Sequence, residues 1–184
     1  MLDTSIEHLR AALQRFPAGD DVANSAATFL AFLESSSEVF HRHHGPGHFT
    51  GSAWLVSADG ERVLLTHHRK LDRWLQLGGH ADGDSNLSAV ALREAQEESG
   101  LADLQVDPRI FDIDRHWIPA RAHEPGHWHF DVRYVVRATG SERFAVGDES
   151  LALAWVPIAP LVGDPAIEPS LRRMARRWLA QERR

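Results

Sequence analysis

Apolar positions change their period twice along the chain. Ile6, Leu9, Leu13 and Phe16 recur at helical spacing, the stretch from Pro17 to Asp20 breaks the pattern, and Val22, Ala26, Phe29 and Leu33 resume it. Two amphipathic helices are therefore expected near the N-terminus. From His48 onward HFTGSAWLVS, a turn over residues 58–61 and RVLLTHH read as a β-hairpin rich in β-branched and aromatic residues. Residues 74–77 form a short strand that leads into a glycine pair. Residues 86–99 then read as an Ala/Leu/Glu-rich helix that stops at Gly100, a residue type that accepts left-handed backbone. Residues 109–117, 127–137 and 151–157 look like strands. Residues 170–182, with Leu171, Met174, Trp178 and Leu179 on one side and arginines elsewhere, make a closing amphipathic helix. Strands around a central helix, with helices at both ends, predict an α/β sandwich. Residues 1–42 are expected to be a helical extension packed on a main domain over residues 43–184, with a dimerisation arm, and hence a homodimer, as the second reading.

One strand is unusually legible. In HWHFDVRY, His127, His129, Asp131 and Arg133 point to one face and Trp128, Phe130, Val132 and Tyr134 to the other. A wholly polar face on an interior-type strand predicts a cleft, and an exposed sheet face is its alternative.

Composition narrows the class. With 184 residues, 43% of them hydrophobic, the chain can fill one core and is short for two. A net charge of −6 argues against a nucleic-acid surface and leaves an anionic substrate dependent on bound metal and local cations. The absence of cysteine removes disulfides and thiol catalysis. No apolar run approaches the ~18 residues of a membrane span. The start MLDTSIEHLRAAL lacks the basic and apolar regions of a signal peptide, so no membrane partner and a cytoplasmic location are expected.

The chemistry concentrates in residues 78–101, GGHADGDSNLSAVALREAQEESGL. At 100° per residue, Glu94, Glu97 and Glu98 fall on one side of the helix. Carboxylates about 5 Å apart in an effective dielectric near 20 repel by about 3 kcal/mol per pair, and by a few tenths if the face is open to water. A divalent cation turns that cost into a binding site. Mg²⁺ or Mn²⁺ suits such a set, since both take carboxylate, carbonyl and water oxygens. Arg93, one turn before Glu97, is placed to pair with it.

From Gly79 this segment resembles the box of the Nudix hydrolase family, G-x5-E-x7-R-E-U-x-E-E-x-G-U, at Gly79, Arg93, Glu94, Ala95, Glu97, Glu98, Gly100 and Leu101. Ser85 stands where the family has its first Glu, and Asp82 and Asp84 lie close enough to supply a carboxylate. The resemblance implies a mixed sheet between helices and metal held by Glu94, Glu97, Glu98 and the Gly78 carbonyl, with Arg93 in support. It further implies hydrolysis of a diphosphate linkage in a nucleoside diphosphate joined to another group. The proton acceptor would be Glu97, Glu98 or, from the acidic turn after Gly147, Glu149. Arg69, Lys70, Arg73 and Arg133 are the expected phosphate-binding cations. Trp74, Trp117 and Trp128 could stack on a base, although core packing explains most tryptophans. A nucleotide-binding sensor without turnover is the rival reading, favoured by Ser85 alone.

Twelve histidines form a second constellation. His41 and His48 flank the start of the first core strand, His80 follows the glycine pair, and His127 and His129 alternate on the polar strand face, about 6 to 7 Å apart at the backbone. This spacing is similar to the metal site of isopentenyl-diphosphate isomerase, another Nudix-fold enzyme. That family's catalytic cysteine corresponds here to Gly78, which makes isomerisation the remotest reading. Several neutral imidazoles would favour Zn²⁺ or another late transition metal over Mg²⁺.

Overall fold

The computed structural model describes residues 4–17, 24–69, 71–121, 124–147 and 150–182. Its elements are α1 (Thr4–Arg15), α2 (Ala26–Leu33), β1 (Gly47–Val56), β2 (Arg62–His68), β3 (Arg73–Leu75), β4 (Leu77–His80), α3 (Leu87–Ser99), β5 (Leu104–Ile118), β6 (His127–Ala138), β7 (Ser150–Pro157), α4 (Ile158–Leu161) and α5 (Pro169–Glu182). The expected α/β sandwich is present, with a seven-stranded mixed sheet ordered β3-β2-β1-β6-β5, β4 added to β1 and β7 to β2.

The expected hairpin of β1 and β2 closes at its root, Val56 opposite Val63. Beyond that point the two strands part. β1 is buried along its whole length, as a strand covered on both faces must be, and its edges are taken by β6 in parallel and by β4 antiparallel. β2 turns instead to β3 and β7. The strand expected over 74–77 accordingly divides at Gln76, one piece following β2 and the other wedged against β1.

Strand alternation sorts the two sides of the sheet. Phe49, Phe130, Val132 and Tyr134 turn to one side, where they form a core with Leu9 and Leu13 of α1, Phe29 and Leu33 of α2, and Leu87, Val90 and Ala91 of α3. Phe32 lies flat on Phe130 with ring centroids 3.7 Å apart, and Phe29 meets the same ring edge-on at 5.3 Å. Trp54, Val56, Val63 and Leu65 turn to the other side and are covered by Ile158 and Leu161 of α4 and by Leu171, Met174 and Trp178 of α5. Along β1 this second face reads His48, Thr50, Ser52, Trp54, Val56. Its apolar half is roofed by helix and its polar half faces a cleft. No helix among the described residues is long and apolar enough to cross a membrane.

Candidate active site

Register puts three strands' polar residues on that open half. His48 and Thr50 of β1 stand beside His129 and Asp131 of the parallel β6, and Thr50 faces His80 of the antiparallel β4. Directly paired residues share a face; Thr50, His80, His129 and Asp131 line one cavity of about 800 Å³, which α3 lines with Glu94, Glu97 and Glu98, and His48 is buried beside them. The cleft expected from HWHFDVRY is thus present.

Helix α3 is placed by its ends. The Asn86 side chain accepts the Ala89 N–H at the start, and Gly100, at φ 69°, ends the helix in the left-handed conformation that costs a residue with Cβ about 1 kcal/mol. Between them the carboxylates meet β4. The Gly78 N–H donates to Glu98 Oε1 at 2.8 Å. A Cβ on residue 79 would lie 2.3 Å from Glu94 Oε2, so glycine is required there for the carboxylate to sit against the strand. Burial pushes the Glu94 carboxyl up, although the neighbouring Arg93 guanidinium opposes the shift.

Arg93 does not pair with Glu97 as expected. Its Nη2 donates to Glu94 Oε1 at 3.2 Å and to the His80 carbonyl at 3.3 Å. The carbonyl at the end of β4 holds the guanidinium beside Glu94 instead. Ser85 is buried, 7% exposed, while Asp82 and Asp84 line the cavity. Asp82 is gripped by Arg42 through two N–H groups, and Asp84 Oδ1 accepts the Asn86 N–H at 2.8 Å. The donor set suits a hard divalent cation. Three carboxylates line one cavity, one of them raised by burial, and the backbone beside them lacks a side chain.

The expected cations are largely elsewhere. Arg133 is 2% exposed and cannot meet a substrate. Its Nε donates to Asp131 Oδ2 at 2.7 Å and its Nη1 to Asp112 Oδ2 at 3.3 Å, inside an ionic layer completed by Arg173 of α5 on Asp112 and Asp114. Arg69 donates to the Ser150 carbonyl at 3.1 Å and Arg73 to Glu168 at 2.7 Å, and neither lines the cavity. Lys70 and Glu149 lie outside the described residues. The arginines on the cavity wall are Arg42, Arg93 and Arg121. Arg42 lies within the histidine-rich run HRHH and Arg121 in a loop without periodicity, so neither carries a signal in the sequence. Of the tryptophans, Trp74 and Trp128 pack against cores and Trp117 is 49% exposed.

The histidines converge. One ring nitrogen from each of His48, His80 and His129 lies within 4.8 Å of the other two, and His127 Nε2 is 3.2 Å from His129 Nε2. Burial, reinforced by the surrounding imidazoles, pushes His48 down to about 3 and His129 to about 2, and burial lowers His80 as well. His48 and His129 are neutral at ordinary pH. His41 stands apart from the converging rings, stacked on His43 with centroids 5.1 Å apart and packed beside Gly83. Its position in the chain resembled a ligand's, but the turn before β1 carries it outward. His116, with its ring 5.4 Å from that of His129, comes closer.

The NUDIX domain model matches residues 48–178. No curated protein matches the chain. Among solved structures, a NUDIX-family hydrolase from Clostridium perfringens superposes with a TM-score of 0.55 at 26% identity, covering 73% of this chain and 97% of that one. An Ap4A hydrolase from C. elegans gives 0.59 at 14% identity over the same shares. A MutT protein from Methanosarcina mazei gives 0.56 at 17% identity, covering 74% and 95%. The fold, the spacing of the box and the matched domain agree, and the chain belongs to the NUDIX family of pyrophosphohydrolases.

Proposed function

We propose that the chain hydrolyses the diphosphate linkage of a small nucleotide-type molecule, a nucleoside diphosphate joined to another group, with Mg²⁺ or Mn²⁺ as cofactor. The observation that carries the reading is the single cavity whose walls join the carboxylates of Glu94, Glu97 and Glu98 to the guanidinium groups of Arg42 and Arg121. Glu94, Glu97, Glu98 and the Gly78 carbonyl would hold the cation, which when bound neutralises diphosphate charge and lowers the pKa of an attacking water. Arg93 holds Glu94 in place against β4. Glu98 has one oxygen committed to the Gly78 N–H, and Glu97 is the exposed member of the set, so the Glu97 oxygen not facing the cation is assigned the proton of the attacking water. Glu149 is the second candidate, because Gly147 and Ser150, its near neighbours in the chain, line the cavity.

Arg42, held by Asp82, and Arg121 are assigned to the phosphates and the leaving group. This assignment replaces Arg69, Arg73 and Arg133. The structural relatives include enzymes described as acting on Ap4A and on dihydroneopterin triphosphate, which supports a substrate with a polyphosphate chain. The test is a panel of nucleotide sugars, dinucleotides, dinucleoside polyphosphates, nucleoside triphosphates and prenyl diphosphates, each with Mg²⁺ and with Mn²⁺, following phosphate-containing products. Glu98→Gln keeps an oxygen for the Gly78 N–H and removes one charge, so turnover is expected to fall about 10²-fold or more while the metal-free protein stays folded. Unchanged turnover at saturating Mg²⁺ would overturn the assignment.

A further inference from the structure

Four imidazoles meet at the end of the cleft formed by β1, β4 and β6. His48 is 1% exposed, and neither of its ring nitrogens has a hydrogen-bond partner. A neutral imidazole has one N–H and one lone pair, and leaving both unmet in a buried site is unfavourable. The ring is surrounded by others of its kind. Its centroid lies 5.0 Å from that of His80, 4.8 Å from His127 and 4.8 Å from His129.

The orientation of His127 is fixed from behind. Its Nδ1 lies 2.9 Å from the Pro125 carbonyl, a contact that requires the proton on Nδ1 and leaves a lone pair on Nε2. That lone pair points at His129 Nε2, 3.2 Å away. A carbonyl behind one ring nitrogen is the usual way a protein sets a ligand's tautomer. Two nitrogens bound at 2.0–2.1 Å to one tetrahedral ion are separated by about 3.3 Å, which matches the observed gap. Register makes the arrangement rigid, since His48 is the direct partner of His129 across β1 and β6, and His80 faces the neighbouring Thr50.

We propose that His48, His80 and His129, with His127 as the fourth donor, bind a late first-row divalent metal, Zn²⁺ by preference, at a site chemically distinct from the carboxylates of α3. Imidazole nitrogen suits Zn²⁺ or Co²⁺; the three residues that converge most closely are all histidines, and the carboxylate of Glu124 stands 3.9 Å from His127 Nε2. The ion accepts the lone pair that the buried His48 ring otherwise leaves unmet, and His48 supplies the anchor deepest in the fold. The site does not depend on the hydrolase reading.

The full chain, purified without a tag and stripped by chelator, is titrated with Co²⁺ alone. One equivalent is expected to give the intense visible bands of tetrahedral cobalt, to be displaced by one equivalent of Zn²⁺, and to raise the melting temperature. His80→Ala, at a half-buried position, should weaken Co²⁺ binding about tenfold or more and remain folded. His129→Ala should weaken it further, and His41→Ala should leave it unchanged. Glu98→Gln should retain the bands, which separates this site from the carboxylate one. No visible bands and no melting shift in the wild type would overturn the proposal. So would equal Co²⁺ affinity in His80→Ala, or loss of the bands in Glu98→Gln.

Discussion

At the scale of single residues, the site depends on a missing side chain. Gly79 has an ordinary backbone conformation, and a methyl group there meets the flexible end of Glu94 before anything else. Gly79→Ala should therefore displace the Glu94 carboxylate at little cost in stability. The expected outcome is a fall in turnover of about tenfold or more with a melting temperature within a few degrees of wild type, the carboxylate being moved by about 1 Å. Kinetics and thermal melting on the same sample check it. A large melting shift would mean that the methyl disturbs β4 itself. The spacing of the box marked Gly79 in the sequence, but its reason appears only once β4 and α3 are placed together. The Arg93 pairing departs from helical expectation for the same cause: helical spacing offers Glu97, whereas the His80 carbonyl, thirteen residues earlier in the chain, decides the geometry.

At the scale of elements, β5, β6 and α5 share a buried ionic layer in which Asp112, Asp114 and Asp131 face Arg133, Arg173 and Arg177. Alternation along HWHFDVRY located the polar face, and it also made Arg133 look like a substrate cation. The partners that absorb its charge, Asp112 and then Arg173 on Asp112, come from β5 and α5, and neither strand register nor helix docking can be read from a single segment. Arg133→Met should leave two almost fully buried carboxylates, Asp112 and Asp131, undercompensated. The expected loss is about 3 to 5 kcal/mol in denaturant unfolding. Asp114 gives the layer its pH dependence. Burial acts to raise its carboxyl, but His116, Arg133 and Arg173 outweigh it and hold the group well below the ordinary 3.8. A carboxyl depressed in the folded state contributes stability that is complete above its unfolded pKa and is lost as the pH falls below about 4. Arg173→Met brings the folded value back towards the unfolded one. Its stability should fall less steeply than that of wild type below pH 4, as denaturant midpoints at stepped pH would report.

At the scale of the whole molecule, the two N-terminal helices complete the core on which the histidine strands rest. Their apolar stripe was legible from spacing alone, because Leu9, Leu13, Phe29 and Leu33 repeat at helical intervals and are the residues found buried. What the stripe covers was not legible, since Phe49 and Phe130 lie in strands read separately. Phe29 is 0% exposed and packs on both, at centroid distances of 6.2 and 5.3 Å. Phe49 and Phe130 are chain neighbours of His48 and His129, pointing to the opposite side of the sheet. Truncating Phe29 opens a cavity under the two strands that bear those histidines. Phe29→Ala should cost about 3 to 5 kcal/mol, and for a domain of this size should lower the melting temperature by roughly 10 °C. Loosened strands should also hold His48 and His129 less firmly, so Co²⁺ affinity is expected to fall in Phe29→Ala although no ligand has changed. If the melting temperature falls and cobalt affinity does not, the strands keep their spacing without the ring, and α1 and α2 contribute stability alone.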